Sequence, residues 1–535
     1  MPADPRRPAV IVAATPTPNG DLHLGHLAGP YLAADVYARH LRSTGRPVVY
    51  TTCTDDSQSY VLATARRQGV PPQHLAATST AAIARSLDAL GISTGGLPPI
   101  GDTYRRTVVD FVSALHAAGR LRRRRVRLPY ARNAGVHLYD GLLSGTCPTC
   151  LSESSGGACE ACGHPNTFDE LLDVRYSLDP DDPVEPREVE ILVLPTEGYR
   201  DRLTEYYARH TPGWRPHARQ LIAELLAGPL SDIPVTVPGT WGIPAPFPET
   251  PGQILYPWIE AMPASIYSTW WSRSRSTAAA DEVDAHWRAA TDTELVYFHG
   301  YDNVYHWGLV DLVMLMAHGD RYVLPSANVC NEFYELAGAK FSTSRNHLVR
   351  GHEVLADVPR DLLRFYLALT APEYQRTTFD RAALPSIVQN RLVDPWNRLS
   401  RALDGVLDAA GVPDRLPASA EGRRRATTIA DRFRTWYELP AFSLGQLADT
   451  LGTQVGRLAA EAESLAGTAG VGDLVVQVRA LIAGAAPLLI DTAAIAHGDG
   501  WGGPDPAAAP ETVAALRLPP LAGVGARRDR RLPVS

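Results

Sequence analysis

The sequence predicts an α/β protein: a Rossmann-type parallel-sheet domain, split by a zinc-knuckle insertion and followed by a C-terminal α-helical bundle. Three observations predict it. Ala9 to Ala14 is a short apolar run that breaks at the turn-rich Thr15-Pro16-Thr17-Pro18-Asn19-Gly20 and leads into a helix-like run, Tyr31 to Leu41. Strand, tight loop and helix start form the geometry in which backbone N–H groups and a positive helix end collect phosphate. Two Cys-x2-Cys pairs then interrupt the βα pattern. Beyond residue 380 the chain is almost strand-free, Ala/Leu/Arg-rich and helically periodic.

Residues 1–116 read as the first half of the nucleotide-binding fold, with apolar runs at Ala9–Ala14 and Val48–Thr52 as buried parallel strands. From 117 to 236 the pattern changes. An arginine run, Arg120-Leu121-Arg122-Arg123-Arg124-Arg125, precedes the cysteines, and Pro-rich acidic stretches such as Asp179–Pro183 follow them. This reads as an insertion between the two halves. The second half spans 237–325, starting near Trp241-Gly242-Ile243-Pro244 and including the strand-like Leu295–His299. Residues 326–380 hold a Gly/Ser/Thr-rich loop, 381–499 the helical bundle, and 500–535 a Gly-, Pro- and Ala-rich extended tail.

With 535 residues, 45% of them hydrophobic, the chain can bury more than one core, and roughly two to four domains are expected. A net charge of −7 argues against a non-specific nucleic-acid binder, DNA included, although local arginine patches remain able to meet RNA. No apolar run approaches membrane-spanning length and the N-terminal MPADPRRPAV lacks a secretory core, so a cytoplasmic protein without membrane partners is expected. Of six cysteines, four are clustered and Cys53 and Cys330 stand alone, which is not a disulfide framework.

Cys147-x2-Cys150-x8-Cys159-x2-Cys162 is the strongest purely chemical signal. Two such knuckles place four thiolates tetrahedrally around Zn²⁺, with disulfides or an iron–sulfur cluster as competitors. With every position filled by protein, the zinc would be structural. Lys340 is the chain's one lysine against 50 arginines, retained where a compact, mobile ammonium suits phosphate better than a planar guanidinium. His23 and His26, three apart, share one face of a helical turn, and Gly25 between them leaves room for a base or ribose. By themselves they also read as two surface histidines.

His23-Leu24-Gly25-His26 after the first strand, with Lys340-Phe341-Ser342-Thr343-Ser344, resembles the HIGH and KMSKS signatures of class I aminoacyl-tRNA synthetases. The cysteine knuckle, the segment around Trp258 and the helical tail narrow the resemblance to methionyl-tRNA synthetases, from about residue 8 to 495. The resemblance implies that ATP, with Mg²⁺, and an amino acid form an aminoacyl adenylate. It implies His23, Gly25 and His26 on the ATP phosphates, Gly300 and Asp302 at the ribose, and Lys340 on the departing pyrophosphate. Thr343 stands where the family has a second lysine.

For the amino acid, the resemblance implies Thr15, Thr17, Asp55, Trp258, Ala261 and Asn303, with Asp55 receiving the ammonium and Asp56 as the alternative. Thr15 and Thr17 replace an aliphatic residue and a tyrosine, and Ser265 or Ile266 falls at a second tyrosine. Trp307 replaces a histidine whose nearest equivalent is His306. These departures predict a small or polar amino acid in preference to methionine. Asn397 and Arg401 match the family's anticodon-contacting pair as possible RNA contacts. The family's stacking Pro-Trp has no counterpart in the acidic Ala460–Leu465. The expected acceptor is therefore a small metabolite such as an N-hydroxylated amine in hydrazine-type biosynthesis, with a separate cupin-type partner protein. The alternatives are methionine–tRNA ligation and, in another class, a catalytically dead binding module.

Overall fold

A computed structural model describes residues 7–166, 170–274, 282–341, 347–411, 414–465, 470–498 and 511–525. The chain opens with strand β1 (Ala9–Ala13), helix α1 (Leu32–Ser43) and strand β2 (Val48–Thr51), followed by helices α2 (Ser59–Gln68), α3 (Pro72–Leu90) and α4 (Asp102–Ala117). The insertion brings strands β3 (Arg122–Ala131) and β4 (Val184–Leu194), with the cysteine knuckles between them. Helix α5 (Ala261–Ser274), strand β5 (Glu294–Gly300), helix α6 (Asp311–Ala317) and strand β6 (Ala327–Asn331) complete the second half. Helix α7 (Arg360–Leu369) leads to the bundle: α8 (Asp394–Ala409), α9 (Ala420–Tyr437), α10 (Leu444–Ser464), α11 (Val471–Ala485) and α12 (Ile490–Gly498).

The central sheet runs β6-β5-β1-β2, every neighbouring pair parallel. All five residues of β1 are buried, as expected for a strand covered on both faces. The split is visible in this order: β1 lies between β2 from the first half and β5 from the second. Ridges of helix α8 pack against α10, and α9 against α11, around a core of Leu399, Leu403, Leu407, Leu451, Val455 and Leu458.

The arginine run resolves into strand β3, paired antiparallel with β4 so that Arg125 faces Glu190 and Arg127 faces Glu188. Arg123 reaches Glu190 at 3.3 Å and Arg124 reaches Asp232 at 3.0 Å. Acidic partners on the neighbouring strand and loop thus neutralise what reads in sequence as a basic patch. The tail differs similarly. Residues 511–525 form a strap in which Thr512–Val513 pairs with Leu416–Pro417, and Val513, Leu516 and Leu518 bury their side chains. Ser400 and Trp396 of α8 donate to the carbonyls of Leu518 and Pro519. No helix among the described residues is long and apolar enough to cross a membrane.

One buried ion pair joins α1 and α7, 329 residues apart in sequence. Arg364 of α7 donates at 2.8 Å to Asp35 of α1, both side chains wholly shielded from water. Its remaining N–H groups meet the carbonyls of Leu488, Pro487 and Leu90. Asp35 also accepts from Arg39 and from the backbone and hydroxyl of Ser93. Burial alone would raise the Asp35 carboxyl, but Arg364 and Arg39 together bring it below the usual value. Arg364→Met leaves Asp35 without that partner. Denaturant unfolding should show a loss of about 3–5 kcal/mol, and a loss under 1 kcal/mol would remove the pair from this role.

Candidate active site

The loop after β1 ends at His23, whose extended backbone (φ −101°) caps a single helical turn, Leu24–His26. The His23 and His26 rings stack at 3.7 Å, and Phe341 stacks on His23 at 4.9 Å. The two sequence motifs therefore meet through Phe341, which is buried. Backbone contacts reinforce the meeting: Leu24 N–H donates to Val349, and His23 bridges Arg350. A Cβ on Gly25 would lie 2.9 Å from His23 Nδ1 and 3.3 Å from Phe341. The room at Gly25 is thus filled by these two rings. Lys340 pairs through its backbone with Glu335. Its side chain, and the whole of Thr343, lie outside the described residues.

At the end of β5 the chain turns through Tyr301–Asn303. A Cβ on Gly300 would meet Asp302 Oδ1 at 2.7 Å, so glycine lets that carboxylate fold back over the backbone. Asn303 donates to Asp302 Oδ1 at 3.0 Å, which groups it with the Gly300–Asp302 turn.

Two contacts bring expected amino-acid residues together. Thr17 Oγ1 donates to Asp55 Oδ2 at 3.2 Å. Asp55 Oδ1 is buried with no hydrogen-bond partner. Burial pushes the Asp55 carboxyl well up; the Thr17 bond opposes this, and the nearby Asp56 and Glu260 add to it. Trp258 stacks on His306 at 3.8 Å, with the two rings nearly parallel. They line a cavity of about 40 Å³ with Ile233, Ile259, Tyr305 and Val310. Burial drives the His306 imidazole down to about 3, so it is neutral, and neither ring nitrogen has a partner. Trp307 instead packs edge-on against Tyr297. Of the two candidates for the family histidine, His306 is the one at the cavity.

Two of the hydroxyls that suggested a polar substrate, those of Thr17 and Ser265, have internal partners. Thr17 is bonded to Asp55, and Ser265 donates to the carbonyl of Ala261 one helical turn back, at 2.8 Å. The Trp258 cavity is lined mostly by apolar and aromatic side chains, with Asp232 and Asn166 also on its wall. This removes much of the physical ground for preferring a polar amino acid.

Cys147, Cys150, Cys159 and Cys162 converge, with their Sγ atoms all within 4.8 Å of one another. Each pair sits on a matching turn: Leu151 N–H donates to Cys147 and Gly163 N–H to Cys159. Positive φ at Leu151 (60°) and Gly163 (74°) closes these turns. Four convergent thiols fit one tetrahedral ion.

The family described as tRNA synthetases class I (M) matches residues 9–403. The chain belongs to the class I tRNA synthetases of the methionine type. Two relatives named methionine–tRNA ligase, from Christiangramia forsetii and Porphyromonas gingivalis, are 32% and 33% identical over 388 and 399 residues. Those matches cover 72% and 74% of this chain and 55% and 57% of the relatives, so the chain spans just over half their length. The methionyl-tRNA synthetase of Mycobacterium tuberculosis, in complex with methionyl-adenylate, shares the fold at TM-score 0.72 and 18% identity, covering 97% of this chain and 100% of that one.

Within this synthetase fold, the expected RNA-contacting pair lies far along the chain, on α8. Asn397 donates to the Leu521 carbonyl at 3.0 Å and accepts from the Leu521 N–H at 2.8 Å. Arg401 donates to the Asn397 carbonyl, and Arg398 forms a two-pronged pair with Glu463.

Sequence reasoning missed two buried acids. Glu260 accepts from Ser57 at 2.9 Å and Tyr104 at 3.1 Å, and burial pushes its carboxyl up to about 8. Asp140, in the insertion, accepts from Tyr256 and is raised to about 7, again by burial. Glu260 adjoins the Trp258 segment and could have been found there; Asp140 has no local signal.

A carboxyl whose pKa is higher folded than unfolded holds its proton more tightly in the native state. The Glu260 contribution is complete below the unfolded value of 4.5 and is lost as pH rises toward about 8. Glu260→Gln keeps an acceptor for Ser57 and Tyr104 but cannot ionise. Between about pH 5 and 8 the wild type should lose on the order of 3 kcal/mol more stability than the variant. Parallel pH–stability curves for the two proteins would rule out this assignment.

Proposed function

We propose that the chain activates an amino acid with an apolar side chain, methionine first, as its adenylate and passes the acyl group to a tRNA hydroxyl. The observation that carries this reading is the apolar cavity walled by Trp258, His306, Ile259 and Val310. The tRNA acceptor is the one named for its bacterial relatives. In this reading Asp55 receives the substrate ammonium, which also satisfies the unpartnered Oδ1. The amino-acid carboxylate attacks the α-phosphorus of ATP, and pyrophosphate leaves. Asp302 holds the ribose hydroxyls while His23 and His26 line the phosphates. Lys340 stabilises the charge that builds on the leaving pyrophosphate, with Thr343 adding a hydroxyl donor. Magnesium bound with ATP would supply positive charge to the phosphates. The four cysteines hold one structural zinc.

One observation favours a second reading, in which the acceptor is a small hydroxyl or amine compound. Both hydrogen-bonding ends of the Asn397 amide are taken by Leu521, and the Ala460–Leu465 segment is acidic. The comparisons lend no support to a small-molecule acceptor or to a cupin-type partner.

Amino-acid-dependent ATP–pyrophosphate exchange across the twenty standard amino acids separates these readings in its first step, and charging of tRNA with a CAU anticodon in its second. Methionine should give the fastest exchange. Clear preference for a small polar amino acid would overturn the apolar reading, and exchange without tRNA charging would select the second acceptor. Lys340→Ala should slow exchange by about 3–4 kcal/mol of transition-state stabilisation while melting as the wild type does. An unchanged exchange rate takes Lys340 out of the mechanism.

The purified protein should carry one zinc per chain, which Cys159→Ser releases while loosening the insertion. Metal analysis that finds iron, or no metal, rejects the zinc assignment.

A further inference from the structure

We propose that Tyr301 is a positioning residue that ties the cysteine knuckle to the ATP site by fixing Asp302. The inference rests on the reading of Asp302 as the ribose-binding carboxylate and of the four cysteines as a metal site. Tyr301 is buried, and its hydroxyl donates at 3.2 Å to the backbone carbonyl of Cys162, the last knuckle cysteine. Its ring lies flat on His217 at 3.7 Å, and His217 is held at 2.9 Å by Glu332. The phenol is thus clamped by its hydroxyl at one end and by its face along its length.

Asp302 is the next residue, in the same single helical turn. Because its carboxylate already folds over Gly300 and accepts from Asn303, a displacement of Tyr301 passes directly to it. A metal holds its thiolates, and so the Cys162 carbonyl, within tenths of an ångström, whereas an empty knuckle does not. Ligand geometry at that level of accuracy is what a ribose-binding carboxylate requires.

Tyr301→Phe removes the hydroxyl and keeps the stack. The expected result is a rise of about fivefold in the KM for ATP, the size of one lost hydrogen bond, with kcat for exchange within about twofold. Zinc content and melting should match the wild type. Titration with a non-hydrolysable ATP analogue, without amino acid, should show the same loss. Chelating zinc from the wild type should weaken analogue binding by a similar factor, and chelating it from Tyr301→Phe should add little, since the link is already cut. Analogue affinity that ignores the substitution overturns the proposal, as do fully additive effects of chelation and substitution. Should Tyr301→Phe fail to fold, the wild-type chelation titration decides alone. If the wild type itself binds no ATP analogue, the reading of the nucleotide site falls and this proposal with it. If the wild type binds and Tyr301→Phe binds equally, only the link through Tyr301 falls.

Discussion

The ion pair between Asp35 and Arg364 is the constraint on which the rest of the fold depends. It lies where helix α1, the end of α3, helix α7 and the α11–α12 junction meet. A pair buried this deeply is a poor source of net stability, because desolvation of both ions offsets their attraction. Its effect is geometric. Every guanidinium contact is directional, and no other packing of the four segments satisfies all of them. Helix α1 follows the histidine turn after a kink at Gly29, so the pair holds the helix that carries that turn, outside the site itself.

The insertion is bound into this frame at separate points. Arg215 donates to Glu373 at 3.0 Å, and Glu373 accepts from Ser443, Leu444 and Gly445 at the start of α10. A carboxylate at that position also meets the positive end of the helix. Nearer the site, Gly157 between the knuckles lies so close to Trp258 that a Cβ would come within 3.2 Å of the indole nitrogen. With Tyr301 on Cys162, this puts both the Trp258 indole and the Gly300–Asp302 turn in contact with the knuckle. In the proposed reading the insertion thus forms part of the active-site wall.

What could be read from the sequence follows from which interactions are local. The His23-Leu24-Gly25-His26 turn, the cysteine spacing and strand β1 are each specified within a few residues, and they stand out without a structure. The class I fold could be read for the same reason, since its two motifs carry enough specificity together. The pairing of Thr17 with Asp55 could not, nor could that of Glu260 with Ser57 and Tyr104, because partners tens to hundreds of residues apart leave no local pattern. A hydroxyl in the sequence looks available until its partner is known, which is how Thr17 and Ser265 suggested a polar pocket. His306 and Trp307 were inseparable without the helix that turns one to the cavity and the other to Tyr297. The arginine run needed the register of β4 to show its glutamates. The strap needed three apolar side chains, spread over a stretch of proline and alanine, to find grooves on the bundle.

The acceptor question reduces to one surface, the face of α8 under the strap. The backbone N–H and C=O of Leu521 offer the Asn397 amide one donor and one acceptor, the same pattern a base edge would present. RNA can use Asn397 only by displacing Leu521. That displacement forfeits two hydrogen bonds, worth about 1 kcal/mol each, and exposes Leu518, worth about 2 kcal/mol more. A ligand bound there would begin roughly a thousandfold weaker than on an open face. No aromatic side chain in Ala460–Leu465 offers a stacking surface to recover it, and Glu463 already holds Arg398. If the chain charges tRNA, as proposed, recognition has to draw on contacts other than the Asn397–Arg401 face. The proposed adenylation site involves none of the α8 residues, so that reading stands apart from how an acceptor is met.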